Sequence, residues 1–385
     1  MVRLPDETEQ TRLSGLGVAE PAPRLLESIV GGIVGDPDVR VRELTLSPVE
    51  YEFNAISTAG LHRVSGTAES GGRSVSWSVF VKTLQHVRHW PLLATLPPQV
   101  AAEMLHSFPW RAELDTRAQV LPVLPDGLRV PEIYYVDDLA DDRVAVWMED
   151  IDVDPTPWSI ATYTRCAHLL GVLAARRTPD QPVGASDLPV GFAVRKMVEA
   201  RMPLLTAVVA DGCMWTSPEV TALVDVGYHR DLVRLHDLIP SLLDEMDGLP
   251  QALPHGDATP ANLLRPRDAP EVFVAIDWAF GSPLPVGHDL GQLLVGGCEG
   301  GSVNPRMLPV IHEAILPAYC RGLAEGGLVV SEEAVRRGYV GGLACRTAPS
   351  AMPFERLGEP LDDELVGFLR RRAALGRFVL DLVLR

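Results

Sequence analysis

The chain is short of the features that mark membrane-spanning, secreted or nucleic-acid-binding proteins. Nowhere in its 385 residues is there an uninterrupted apolar run of about 18, the length a bilayer-spanning helix needs. The first residues, Met1-Val2-Arg3-Leu4-Pro5-Asp6-Glu7, lack a basic stretch followed by an apolar one. No secretory signal is therefore expected, and cytoplasm is the expected compartment. Cysteine is scarce: Cys166, Cys213, Cys298, Cys320 and Cys345 are scattered, odd in number, and form neither a CxxC pair nor a metal-finger spacing. That argues against zinc and disulfide frameworks and leaves small buried thiols. Positive charge is also short. A net charge of −17 argues against sequence-independent binding to nucleic acid, which needs clustered Lys and Arg. The same acidity permits attraction of a cationic small molecule into an acidic cleft. There is no internal repeat and no low-complexity tract.

What is present is ordinary globular material. An apolar fraction of 46% with 22% charged residues can bury a large core, and the length suits two or three domain-sized units or one two-lobed chain. After a polar lead, Pro23 to Val30 reads as a short helix. Val39 to Leu46 then alternates with period two, Leu61 to Ala68 leads to the turn Ser70-Gly71-Gly72, and Val75 to Lys82 follows. Three strands with short turns make an antiparallel meander. Helical periodicity takes over from about 98 to 121, with Trp110, Leu114, Ala118 and Leu121 on one face. The Asp126-Gly127 turn opens a hairpin with arms Pro131–Val136 and Val144–Met148. From about 157 the pattern is mostly helical, with candidates at 159–177, 193–210, 217–248 and three more after 305. The exception is 253–278, which reads as a loop followed by a second hairpin. The Asp- and Pro-rich stretch Asp150–Pro157 is the natural hinge. The expected division is an N-terminal helical extension over 1–38, a strand-rich part over 39–150 and a helical part over 151–385.

The chemistry lies in two short motifs near residue 260. The first is Pro254-His255-Gly256-Asp257-Ala258-Thr259-Pro260-Ala261-Asn262, and the second is Val274-Ala275-Ile276-Asp277-Trp278. Pro254, Gly256 and Pro260 disfavour a helix there. A rigid loop suits a residue that must meet a hydroxyl nucleophile, and Asp257 would accept or orient that proton. After Leu263-Leu264 a polar turn reverses the chain, and Glu271 to Ile276 returns as a strand. A hairpin of that length brings Asp277 back beside Asn262. Both could then hold magnesium ions that neutralise nucleotide phosphates, because Mg²⁺ favours few protein oxygens with water and phosphate filling the rest. A metallohydrolase using His255 and Asp257 as ligands is the competing reading. It would need further ligands, of which His288 is the obvious one.

The chain resembles the aminoglycoside phosphotransferase/choline kinase-like family. The resemblance rests on His255-Gly256-Asp257-x4-Asn262-Leu263-Leu264, then Ile276-Asp277-Trp278, then Gly287-His288-Asp289-Leu290. It implies an α+β, bilobal protein-kinase-like fold, with a small antiparallel five-stranded N-lobe and a larger, mainly helical C-lobe. It also implies Asp257 as the catalytic Asp, Asn262 and Asp277 as magnesium ligands, His255 as structural support, and Asp289 as a buried strut hydrogen-bonding the catalytic loop. Read without the family, Asp289 is a plausible helix cap. The fold calls for an ATP-binding lysine on the third strand, and Lys82 closes that strand. Its carboxylate partner should come from the next helix, with Glu113 first and Glu103 second. Adenine would meet the main chain of Glu149 and Ile151. The phosphate loop, Asn54-Ala55-Ile56-Ser57-Thr58-Ala59-Gly60, has a single glycine, so the Ser57 and Thr58 hydroxyls would substitute for part of its N–H cradle.

Only twelve positions separate Asp277 from Asp289, with no Ala-Pro-Glu between them. A protein kinase needs a long activation segment there, so a small hydroxylated acceptor is favoured. The implied cofactors are ATP, with GTP left open, and Mg²⁺. The implied acceptor is an alcohol of an antibiotic, amino sugar, sugar or related metabolite, with neither nucleic acid nor membrane as partner. Polar residues after 290 that could wall its pocket are Glu299, His312, Glu313, Arg346, Glu355 and Arg356. Glu299, in a Gly-rich bend, is the one singled out to grip a hydroxyl or ammonium. A catalytically silent nucleotide-binding module is the competing class, and a protein kinase the third.

Overall fold

The computed structural model describes residues 23–50, 55–181, 186–278, 281–359 and 362–385. The polar lead over 1–22 and Asn54 of the phosphate loop lie outside these residues. The chain divides into two compact units.

The first unit runs to Asp115 and resumes over Val130–Asp152. It holds helix α1 (Pro23–Val34) and strands β1 (Arg40–Pro48), β2 (Thr58–Ser70) and β3 (Arg73–Gln85). It also holds helix α2 (Pro98–Ser107) and strands β5 (Ile133–Leu139) and β6 (Arg143–Glu149), while β4 (Leu128–Arg129) falls in the second unit. The five strands form one antiparallel sheet in the order β1-β2-β3-β6-β5. Period-two alternation on β3 decides what each face carries. Trp77, Val79 and Val81 enter a core with Ile29 and Val30 of α1, while Phe80 and Leu84 join Val144, Val146, Met148, Trp110 and Leu114 in a second cluster. Lys82 has the parity of Phe80 and Leu84 and pairs with Leu61 on one side and Val146 on the other.

The helix expected over 98–121 is two helices. α2 ends at Ser107, and α3 (Ala112–Val120) starts four residues beyond its cap residue Phe108. Pro109, lacking an N–H and crowding the preceding turn, separates them. The interval between β3 and α2 carries two short 3₁₀ turns, Val87–His89 and Pro91–Thr95.

The second unit comprises Thr116–Arg129 and Val153–Arg385. Its long helices are α4 (Ile160–Ala175), α5 (Phe192–Ala210), α6 (Tyr228–Asp247), α7 (His288–Glu299), α8 (Leu308–Glu325), α9 (Glu332–Gly342) and α10 (Asp363–Val383). The expected 217–248 helix is also broken. A single turn, Pro218–Thr221, precedes α6, whose entry is set by Gly227. α4 and α8 pack closely through two glycines: a Cβ on Gly171 would sit 2.3 Å from the Tyr319 carbonyl oxygen, and one on Gly322 2.0 Å from that of His168.

Small β elements pin the loops between these helices. β7 (Gln251–Ala252) pairs with β10 (Leu284–Pro285), and β8 (Leu263–Leu264) pairs antiparallel with β9 (Phe273–Ala275). β4 (Leu128–Arg129) adds in parallel to β9, a pairing that two residues of sequence do not announce. Among the described residues no helix is long and apolar enough to cross a membrane.

Candidate active site

In the second unit the loop over 253–262 hangs between β7 and β8. Leu253 donates its N–H to the Arg177 carbonyl at 2.7 Å, and Nη1 of Arg177 returns a bond to the Leu253 carbonyl at 2.9 Å. Arg177 is fully buried, and burial holds its guanidinium pKa down to about 10. The loop then turns through Gly256 at φ 84°, a left-handed conformation that glycine adopts without a Cβ penalty.

Asp289 fixes that turn. Its buried carboxylate accepts the His255 N–H at 3.0 Å and the Gly256 N–H at 2.8 Å. Burial raises its pKa, while His255 and the two N–H donors act in the opposite direction. It sits in the first turn of α7, where the helix dipole favours a carboxylate. The chain enters α7 through Gly287 at φ 94°, and a Cβ there would meet the Val335 carbonyl at 2.3 Å.

His255 is a bracket rather than a ligand. Its Nε2 lies 2.9 Å from the Ile276 carbonyl, and its Nδ1 accepts the Asp257 N–H at 3.2 Å. Those partners assign the ring proton to Nε2. Trp278 packs against the ring at 4.5 Å between centroids and donates to the Ala275 carbonyl at 3.1 Å. His255 thus ties the loop to the strand that carries Asp277.

Asn262 donates from Nδ2 to the Asp257 carbonyl at 2.9 Å and to Asp257 Oδ2 at 3.1 Å. Its carbonyl accepts the Ile276 N–H at 3.0 Å, extending the Leu263–Ala275 register by one residue. Asp277, next in line, is thereby returned beside Asn262. Its φ of 63° is uncommon for a non-glycine residue, and such backbone strain clusters at functional sites.

The donor set suits Mg²⁺. Because the amide nitrogen of Asn262 is committed to Asp257, its oxygen is the atom with lone pairs to offer, and Asp277 would add a carboxylate. One amide oxygen and one carboxylate match a hard cation that keeps most of its ligands as water and phosphate. Among the described residues no group of three or more His, Cys, Asp and Glu could hold a metal. The metallohydrolase reading would need such a group. His288, its one extra candidate ligand, is buried with neither ring nitrogen bonded. Burial, and secondarily Arg346, hold its pKa down to about 3.

The sequence reading ranked no partner for Asp257 from the helical region. The structure supplies Arg346, whose Nη2 reaches Asp257 Oδ1 at 2.5 Å and whose Nη1 reaches the Gly256 carbonyl at 2.6 Å. Arg346 is eighty-nine residues away in sequence, so only its mention among the polar candidates pointed to it. The others fare differently. His312 Nδ1 bonds the Tyr339 hydroxyl at 3.1 Å, and Arg356 pairs with Glu359 at 2.8 Å. The Glu355 side chain lies outside the described residues. Glu299 ends α7, and its charge acts on Arg201.

In the first unit Lys82 Nζ lies 2.6 Å from Glu113 Oε2, with the two side chains 12% and 18% exposed. Glu113, in the first turn of α3, makes this ion pair, and Glu103 lies on α2. Ser57 gives its carbonyl to the Gln85 N–H at 2.9 Å, and Thr58 opens β2 opposite Leu84. Glu149 donates its N–H to the Glu132 carbonyl at 2.8 Å and ends β6, two residues before Ile151.

Comparison with solved structures finds similar chains. An aminoglycoside phosphotransferase from Alicyclobacillus acidocaldarius subsp. acidocaldarius aligns over 97% of each chain at 14% identity, with a TM-score of 0.51. A spectinomycin phosphotransferase aligns over 90% of this chain and 93% of its own, at 12% identity and a TM-score of 0.48. A choline kinase from Cryptosporidium parvum Iowa II aligns over 89% and 88%, at 11% identity and 0.46. No curated protein matches the chain in sequence. The family model for the phosphotransferase enzyme family matches residues 76–326. That match covers well over half the chain, including β3 from Ser76 on with Lys82, the 253–278 interval and α7. The fold is bilobal and protein-kinase-like, and the chain belongs to the phosphotransferase enzyme family.

Proposed function

We propose that the chain transfers the γ-phosphoryl group of ATP to a hydroxyl of a small molecule. The O–P bond to the acceptor oxygen forms as the bond to the β-phosphate oxygen breaks, ADP leaves, and the hydroxyl proton passes toward Asp257. The observation that carries this reading is the Asp257–Asn262–Asp277 hairpin, in which the proton acceptor and two hard oxygen ligands share one loop. The site's contribution is positioning and charge neutralisation.

Asp257 orients the attacking hydroxyl. Its carboxylate has about four lone-pair sites, of which Arg346 and Asn262 take one on each oxygen, so each oxygen keeps a site for the acceptor. Asn262 and Asp277 would hold Mg²⁺, which, when bound, offsets the charge on the phosphates. Lys82, steadied by Glu113, contacts the α- and β-phosphates, and the Ser57 and Thr58 hydroxyls supplement the glycine-poor loop. The Glu149 carbonyl and the Ile151 N–H face the adenine edge. His255 and Asp289 keep the loop in shape, and Glu299 grips a hydroxyl or ammonium of the acceptor. ATP is the proposed donor, with GTP the alternative to compare.

The acceptor classes are aminoglycosides and other antibiotics, amino sugars, sugars and related metabolites. The test is Mg²⁺-dependent ADP release across a panel of these, with peptides as the counter-panel. Stimulation by a small alcohol supports the reading. Stimulation by peptides alone would make it a protein kinase, and nucleotide binding with no turnover a silent module. With an acceptor in hand, Glu299→Gln is expected to raise the acceptor KM. An unchanged KM removes Glu299 from the pocket.

A further inference from the structure

Beyond α9 the helix widens into a π turn, Leu343–Thr347, before tightening into the 3₁₀ turn Ala348–Ser350. π turns inside helices are rare and frequent at functional sites, because the extra residue per turn re-aims a side chain. Here the re-aimed side chain is Arg346. Its two terminal nitrogens both donate into the catalytic loop, one to the Gly256 carbonyl and one to Asp257 Oδ1. The ion pair is largely withdrawn from solvent, with Arg346 12% and Asp257 22% exposed.

The turn is itself tied down from two other helices. Arg201 on α5 donates Nη1 to the Arg346 carbonyl at 2.5 Å, and burial lowers the pKa of that guanidinium. Gln292 on α7 reaches the Thr347 hydroxyl at 3.5 Å. Gly342 admits the His288 ring against the backbone just before the turn, since a Cβ there would lie 2.9 Å from Nδ1. Arg346 also lies outside the residues that the family model matches.

We propose that Arg346 is a positioning residue for phosphotransfer: from the π turn it fixes the rotamer of Asp257 and the peptide before it, so that the second lone pair of each carboxylate oxygen faces the acceptor hydroxyl. Planar, two-point donation is what a guanidinium supplies and an ammonium does not. Arg346 holds the base without being the base, and it does not hold the acceptor. This deepens the phosphotransfer reading and rests on it.

The test compares wild type with Arg346→Ala, Arg346→Met and Arg346→Lys, using ATP and an acceptor found by the panel. Loss of the clamp is expected to lower kcat about 10²-fold, the scale of an ångström-level misplacement of a reacting group. The KM values for ATP and acceptor should stay within a few-fold. Arg346→Lys should recover only part of the loss, because it keeps the charge and lacks the fork. Added guanidinium chloride, below denaturing concentration, should restore part of the Arg346→Ala turnover and none of the Arg346→Met turnover, where the side chain fills the space.

An unchanged kcat overturns the proposal, and so does a loss confined to acceptor KM, which would make Arg346 an acceptor ligand. A loss that follows a fall in Tm and resists guanidinium overturns it too, since the role would then be structural. Failure of the phosphotransfer reading looks different: the wild type itself transfers nothing to any acceptor, and both readings fall together.

Discussion

At the scale of single residues, the site is held by groups whose partners fix both orientation and charge. Lys82 beside Glu113 is the clearest pair, since each is mostly buried and a point charge there needs a counter-charge. Lys82→Met is expected to lower kcat/KM for ATP on the order of 10²-fold, the usual result of removing one donor to transferring phosphates. Steady-state kinetics against ATP decide it, and a variant as efficient as wild type would remove Lys82 from the nucleotide site.

His288 gives a second prediction at this scale. Its pKa falls from 6.5 to about 3 on folding because of burial. The sign follows directly. Between those values the unfolded chain binds the proton that the folded chain refuses, so this contribution is intact above 6.5 and lost as pH falls. The slope is at most about 1.4 kcal/mol per pH unit. In His288→Leu the difference in urea unfolding free energy between pH 7 and pH 5 should be smaller than in wild type. Parallel profiles would show that His288 does not titrate as described.

At the scale of elements, close backbone approach sets the architecture of the second unit. α4 and α8 meet where Gly171 and Gly322 carry no side chain, and any Cβ would strike a helix carbonyl rather than a movable side chain. Gly322→Ala is expected to destabilise by about 1–3 kcal/mol through overpacking, despite alanine's better helix propensity. Chemical denaturation measures it, and a stabilised variant would contradict the contact.

What the sequence made legible divides at the same scale. Asp257, Asn262 and Asp277 could be read because one hairpin and a short loop bring them together, so no long-range packing had to be guessed. Lys82 was picked because it closes the third predicted strand, where the resembled fold calls for a lysine. Glu113 was ranked above Glu103 from its place in Trp110-Arg111-Ala112-Glu113-Leu114, and an ion pair joins it to Lys82. The breaks at Pro109 and at Pro218–Gly227 were written in breaker residues that helical periodicity masked. Arg346 was named only as one polar candidate among several, and its pairing with Asp257 was out of reach for a physical reason. A π turn shifts register by a residue relative to 3.6 periodicity, and its target lies eighty-nine residues away.

At the scale of the whole molecule, the chain has a five-stranded antiparallel unit carrying the Lys–Glu pair and a helical unit carrying the loop with Asp257 and Asn262. A family match over 76–326 takes in the Lys82–Glu113 pair and the 253–278 interval. The net charge of −17 suits attraction of cationic acceptors, an effect that salt screens. If the true acceptor is a polyamine-like antibiotic, its KM should rise with ionic strength while kcat holds. An acceptor KM indifferent to salt would remove charge steering from the account.

The most direct measurement is transfer of label from γ-³²P ATP to an acceptor by wild type and Asp257→Asn, alongside the ATP dissociation constant of each. The account predicts labelled acceptor from wild type and a kcat lower by about 10²–10⁴-fold in the variant. ATP should bind both nearly equally. Comparable label transfer by Asp257→Asn would contradict the role of Asp257 and the mechanism built on it.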